Sequence, residues 1–270
     1  MNYHLDHSKG GVETCTFGTV GVLRRRFDTH AIQVNDLRGQ ENEFDIHTHS
    51  FQLCRWKPSR SLLDSDGIKQ NIYPEAEEFV KKITGATRVH CFSHLIRQGT
   101  MEANIEALRK LEGSRGKDNV SDNEGFGMAA PARYAHIDQS GQGAQTLLNE
   151  NLPDEAENYR RRVGGHEEDL VPMEAIPPPK GTSSFYDSIS RGNGFQTIEV
   201  RANPNHKWYY VSGMQPEEAL IFKCYDSKNS SQSRCCHASF KHSETASEAP
   251  RESMEMRFFI FYENEPLAGF

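Results

Sequence analysis

The chain has 270 residues, enough for one large domain or two small ones. Its 31 Lys and Arg against 38 Asp and Glu leave a net charge of −7, the wrong sign for a general nucleic-acid binder, whose footprint is basic. No apolar run approaches the roughly 20 residues that span a bilayer, and the polar opening MNYHLDHSKGG carries no secretory signal, so a cytoplasmic protein that binds neither membrane nor nucleic acid is expected.

Cys15, Cys54, Cys91, Cys224, Cys235 and Cys236 form no CxxC pair and read as free thiols of a reducing compartment. Residues 15–56 read as short strands and turns: CTFGTVGVL, THAIQV and FQLCRW are rich in β-branched and aromatic residues, and DLRGQENEFD is a polar loop. His47 and His49 in FDIHTHSF make an H-x-H on a strand-like segment with a structural role. YPEAEEFVKKIT predicts a helix over 73–84. Tyr73, Ala76, Phe79, Val80 and Ile83 share a face, Pro74 suits the first turn, and Gly85 ends it. TRVHCFSHLI follows as a strand, with His90 and His94 as core or lining residues beside Phe92. Met101 to Leu111 is amphipathic, and the Gly-, Asn- and Asp-rich stretch 113–131 is a flexible loop.

ARYAHID, residues 132–138, is the next strand, then a short helix over 154–162 capped by Asp154, then a rigid linker, IPPPKG. QTIEVR, KWYYV, ALIFKCY and MEMRFFIFY are four further strands, the last two separated by a polar tract over 226–250. There is no internal repeat and no clean break. The reading is therefore one domain over 1–270, with residues 1–14, 113–131 and 226–250 flexible. About ten short strands with one or two helices suggest a β-sandwich or barrel, of which the jelly roll is one form.

The chemistry sits in Ala135-His136-Ile137-Asp138. Residues two apart on a strand face the same way, so His136 and Asp138 point together. An imidazole and a carboxylate on one face are two of the three ligands of a 2-His-1-carboxylate triad, which holds non-haem Fe(II) and leaves open positions. Two later residues fit the rest. His237 in CCHASF follows an apolar strand, and Arg257 lies within the apolar MEMRFFIFY, where a charge needs an anionic partner. Taken singly, His237 also fits a solvated loop and Arg257 an exposed strand edge. No HExxH supports a zinc hydrolase.

Longer strings then match in order: HIDQS, NPNHKWYYVSGMQPEEALIFKCYDS, HASF and PRESMEMRFFIFYE, with DLRGQENEFDIHTHSFQL and IYPEAEEFVKKITGATRVHCFSHLIR upstream. Over most of residues 15–265 the chain resembles a fungal group of Fe(II)/2-oxoglutarate oxygenases. That group includes the gibberellin desaturase and relatives of the cephalosporin 7α-methoxylase accessory subunit. The resemblance implies a mainly β fold with a few helices, a double-stranded β-helix (cupin-like jelly roll). It implies Fe(II) as metal, 2-oxoglutarate as cosubstrate, O2 and a small secondary metabolite as partners, and hydroxylation or desaturation as the reaction.

By the family pattern His136, Asp138 and His237 are the iron ligands, with His206 in NPNHKWYY the rival for the third. Arg257 grips the distal carboxylate of 2-oxoglutarate, favoured by its place in the apolar strand. Arg251 is the second candidate. The chain departs from the pattern after Tyr159. YRRRVGGHEEDLVP follows at once where family members carry further strand sequence, including an asparagine-x-tryptophan-arginine-proline stretch. The fold is thus expected to be short by one or two strands. That shortening carries the alternative function, an inactive or truncated member that acts as a binding protein.

Overall fold

A computed structural model describes residues 1–59, 67–126, 130–156, 169–176, 194–228, 234–242, 244–245, 249 and 251–265. Among these the chain is mainly β, with four α-helices. The helices are α1 (Val20–Arg24), α2 (Tyr73–Thr84), α3 (Met101–Arg115) and α4 (Gly141–Asn151). Four two-stranded pairs form: β1 (Asn2–Tyr3) with β3 (Asp28–Thr29), β4 (Val34–Asp36) with β10 (Trp208–Tyr210), β5 (Phe51–Arg55) with β11 (Glu218–Phe222), and β6 (Arg88–Arg97) with β12 (Ser253–Phe261). A four-stranded sheet runs in the order β2 (Thr14–Thr16), β8 (Leu170–Ile176), β9 (Phe195–Val200), β7 (His136–Ile137). No barrel is closed among the described residues. None of their helices is long and apolar enough to cross a membrane.

Several elements fall where the residue pattern puts them. Helix α2 spans the expected residues. Gly85 ends it at φ +69°, its N–H donating to the Lys81 carbonyl, a conformation that glycine adopts without a Cβ clash. Tyr73, Ala76 and Val80 are buried, and the helix lies against β6. Strands β5, β6, β9, β10, β11 and β12 occupy the expected segments.

Other segments differ for local reasons. CTFGTVGVL is a strand only over its start. The Thr19 hydroxyl donates to the Thr16 carbonyl and the chain turns into α1. THAIQV is split between the end of β3 and β4. His47 and His49 lie in an exposed turn rather than a strand, because the Asp45 carboxylate accepts from the backbone N–H of His47 and Thr48. Helix α3 runs on through Gly113 to Arg115, into the expected loop.

Helix α4 and strand β8 are additions to the expected elements. The Ser140 hydroxyl caps α4 by accepting from Gly143 N–H. Gly143 is required there, since a Cβ would sit 2.0 Å from the Gln196 carbonyl oxygen of β9. Strand β8 tolerates Pro172 because β2 joins it only from Glu174 onward, so the missing N–H faces no described strand. Of the helix expected over 154–162, residues 157–162, with Arg160, Arg161 and Arg162, lie outside the described residues, and Asp154 is in a turn. The IPPPKG linker lies outside them from residue 177.

The expected loose N-terminus is instead tied down. Tyr3 and His4 are buried, and the Tyr3 hydroxyl accepts from the Trp208 indole N–H. The Glu199 carboxylate on β9 pairs with His4 Nδ1 at 3.0 Å and with an Arg25 guanidinium nitrogen at 2.6 Å, all three side chains being at most 5% exposed. Burial alone pushes the Glu199 carboxyl up, but the His4 bond and the Arg25 charge outweigh it and hold the group below its usual range. A lowered folded-state value means that its stabilisation is present at neutral pH and is lost as pH falls through that value. Glu199→Gln leaves Arg25 buried without its counter-charge, so the urea midpoint at pH 7 should fall by the equivalent of about 3–5 kcal/mol. The gap between variant and parent should narrow below about pH 4. Equal midpoints at pH 7 would show that the trio contributes nothing.

Candidate metal centre

Strand β7 lies between β9 and the segment carrying His237. His136 pairs with Glu199 of β9, and its backbone exchanges two hydrogen bonds with His237, at 3.0 and 2.9 Å. Ile137 turns into the core at 2% exposure, so His136 and Asp138 turn together to the other side. Because His237 is registered opposite His136, the two rings meet, 4.3 Å between centroids. Asp138 Oδ1 lies 3.4 Å from the Nε2 atom of each histidine. Among the described residues this is the one group of His, Cys, Asp and Glu placed to hold a metal ion, its ligand atoms all within 4.8 Å of one another.

The hydrogen bonds behind these atoms fix what they can do. His136 Nδ1 faces the Tyr134 carbonyl at 2.9 Å, and His237 Nδ1 faces the Cys235 carbonyl at 3.2 Å. A carbonyl oxygen only accepts, so each Nδ1 carries a ring proton, and Nε2 is the nitrogen each ring can turn to a metal ion. Two imidazole nitrogens and a carboxylate oxygen converge, a donor set that suits a divalent cation.

Arg257 completes the backing. Its Nε donates to Asp138 Oδ2 at 3.1 Å, leaving Oδ1 for the histidine side, and its guanidinium also pairs with Glu255. Burial pushes the Asp138 carboxyl up, but the Arg257 charge and the two histidine bonds together hold it well below its usual range. Burial likewise pushes His237 down, and the Asp138 bond and charge more than reverse this. Glu255 in turn accepts from Arg97 at 2.6 and 3.0 Å.

The site opens on a cavity of about 2260 Å³ that His136, Asp138, His237, Phe222, Arg257 and Arg251 all line. Arg251 is exposed, and no hydrogen bond or ion pair to a described residue neutralises it. His206 is held elsewhere, stacked on Tyr3 at 6.0 Å with Nε2 3.9 Å from Asp169. His94 bonds the Tyr73 hydroxyl at 2.9 Å, and His90 lies 3.9 Å from Glu77. Neither joins the trio.

Two neighbours are additions to the expected site. The Phe222 ring lies 4.5 Å from the His237 ring. Burial and the Asp138 charge push the Cys224 thiol up. Their signal was the two-residue spacing along ALIFKCY, which sets both on one face.

The chain matches a family described as an oxidoreductase/YMDC permease-like domain over residues 1–165 and 164–261. It is 30% identical to the hydroxylase/desaturase efuI of Hormonema carpetanum, over 98% of this chain and 95% of that protein. It is 32% identical to the hydroxylase/desaturase CTB9 of Cercospora beticola, over 98% and 86%. The Fe(II)/2-oxoglutarate-dependent dioxygenase nvfI of Aspergillus novofumigatus is 25% identical over 86% and 83%. The chain belongs to the fungal Fe(II)/2-oxoglutarate oxygenase-like family.

A solved structure from the same family, the iron and alpha-ketoglutarate-dependent endoperoxidase NvfI, shares the fold. Its TM-score is 0.65 at 22% identity, covering 88% of each chain. The efuI alignment runs over 291 positions against 270 residues, so at least 21 positions have no partner in this chain. The family match also breaks at residues 164–165.

Proposed function

We propose that residues 1–270 form one jelly-roll oxygenase domain, a hydroxylase or desaturase of a small secondary metabolite, with His136, Asp138 and His237 as its iron ligands. The protein is an Fe(II)/2-oxoglutarate-dependent dioxygenase, with Fe(II) as metal and 2-oxoglutarate as cosubstrate. The observation that carries the ligand assignment is the convergence of two Nε2 atoms and Asp138 Oδ1, each histidine oriented from behind by a carbonyl. Three protein ligands leave open positions for cosubstrate and O2. Iron with 2-oxoglutarate and O2 supplies the oxidising power to attack an unactivated C–H bond, with succinate and CO2 released.

The chain's own residues do the rest. Arg257 fixes which Asp138 oxygen faces the histidines. Arg257 has two carboxylate partners, Asp138 and a Glu255 shared with Arg97, and leaves its buried Nη1 without one, whereas Arg251 has no carboxylate partner among the described residues and lines the same cavity. We therefore assign the distal carboxylate of 2-oxoglutarate to Arg251 and a positioning role to Arg257, reversing the order that the apolar strand suggested. The Phe222 ring packs beside the His237 ring. Six free cysteines suit a cytoplasmic setting. With all three donors assembled, nothing among the described residues favours an inactive binding protein.

Anaerobic titration with Fe(II) and then 2-oxoglutarate tests the reading. A weak visible charge-transfer band should grow to saturation at one equivalent of iron. Folded protein without such a band would overturn it.

A further inference from the structure

Five aromatic side chains form one file through the metal centre. Phe27 stacks on Tyr134, with 5.4 Å between centroids and 13° between planes. The Tyr134 ring meets that of His136 at 4.9 Å, His136 meets His237 at 4.3 Å, and His237 meets Phe222 at 4.5 Å. Phe222 ends the file on the cavity side. Arg25 covers the other end. Its guanidinium carbon lies 5.0 Å from the Phe27 ring centre and 5.5 Å from that of Tyr134, close enough for a cation to be drawn to both rings.

Arg25 is held in place from the sheet. Glu199, its ion-pair partner, is the register partner of His136 across β7 and β9. Opposite residues of an antiparallel pair share a face, so the buried trio of His4, Arg25 and Glu199 lies on the same side of the sheet as the metal donors. Arg25 gives Glu199 its Nη2 at 2.6 Å, while its buried Nε and Nη1 make no hydrogen bond among the described residues. A lysine could make that ion pair. The two rings account for the planar fork, which stacks on aromatic faces as an ammonium does not.

The file bears on the Tyr134 carbonyl. His136 belongs to a strand only two residues long, so strand pairing alone holds its ring poorly. Its Nδ1 donates to the Tyr134 carbonyl at 2.9 Å. Ala135 is tied by backbone bonds to Asn2 and Val200, and Tyr134 is packed by its ring, which is buried. We propose that Arg25 is a positioning residue of the metal centre: held by Glu199, it clamps the Phe27–Tyr134 stack, and the clamped Tyr134 aims His136 Nε2 at the metal ion. His237 bonds the Cys235 carbonyl instead and has its own support. The proposal rests on the ligand assignment made under the proposed function.

The test loads the full chain with Co(II), a paramagnetic substitute for Fe(II). Each coordinated histidine then shows a strongly shifted ring N–H proton resonance that vanishes in D2O, so the parent should show two. That of His136 is assigned by its Overhauser contacts to the Tyr134 ring. Arg25→Lys keeps a cation for Glu199 but loses the stack, and Phe27→Leu keeps the ion pair whole. In both variants the His136 resonance should move or broaden while that of His237 stays. Anaerobic calorimetry should show Fe(II) affinity lower by about tenfold, the smaller end of the effect of an outer partner, in samples that urea unfolding shows to be folded. Phe27→Tyr keeps the ring and should restore the parent's values. Unchanged resonances and affinity in Arg25→Lys and Phe27→Leu would overturn the proposal and leave Arg25 a purely structural group. Equal displacement of both resonances would overturn it too, since the clamp bears on His136. A parent without two such resonances would overturn the ligand assignment, and the clamp with it.

Discussion

Asp138→Asn should weaken Fe(II) binding by well over about 100-fold, with a smaller loss of stability than Glu199→Gln because Arg257 keeps Glu255 as a counter-charge. Asp138 is the one anionic donor of the trio, and its Oδ1 lies between both histidine Nε2 atoms. Asparagine keeps the shape and an oxygen for the Arg257 bond, but it removes the charge that a dication needs. Alanine is the poorer probe, since it would leave a buried guanidinium beside an empty volume, at about 3–5 kcal/mol of stability. His136→Ala and His237→Ala should show similar losses of iron affinity. His206→Ala should leave iron affinity unchanged, because His206 stacks on Tyr3 and faces Asp169. Calorimetric titration with Fe(II) under anaerobic conditions, alongside urea unfolding, separates affinity from stability. Tight binding by the Asp138 variant, or loss of binding by the His206 variant, would overturn the ligand set.

Arg251→Ala should raise the Kd for 2-oxoglutarate by about 10- to 100-fold, the effect of losing a charge-assisted bond worth about 1.5–3 kcal/mol, and should leave Fe(II) affinity unchanged. Arg257→Ala should act on the metal first. Without the Nε bond the Asp138 carboxylate can rotate, and removing an outer partner of a ligand typically lowers metal affinity about 10- to 100-fold. Binding of the two ligands, measured separately in both variants, distinguishes the roles. If Arg257→Ala lost 2-oxoglutarate at unchanged iron affinity while Arg251→Ala bound it normally, the distal carboxylate would belong to Arg257.

The donor set was legible in the sequence because two of its members lie two residues apart on a strand, a spacing with one geometric meaning. His237 was legible only as a histidine between an apolar strand and an arginine-bearing one. Its register opposite His136 is a contact across 101 residues that no local pattern encodes. The same holds for Arg257. Its apolar strand required an anion, but not that the anion would be Asp138. Helix α4 escaped because GQGAQTLLNEN reads as a glycine-rich loop. Its glycine serves a close approach to β9, a tertiary requirement. Strand β8 was hidden by Pro172, which is harmless only because β2 is so short. The N-terminal residues look unstructured by composition, and they are ordered by partners around residue 200.

That last arrangement fixes a timetable for the chain as it is made. His4 leaves the ribosome 195 residues ahead of its partner Glu199. At about 5–20 residues per second, it waits about 10–40 s before its buried trio can close. Strand β7 is in the same position, since one neighbour, β9, carries Glu199 itself and the other, His237, arrives later still. Between His4 and Glu199 the nascent protein has neither its sheet nor its metal centre complete, and iron can enter only once His237 has emerged.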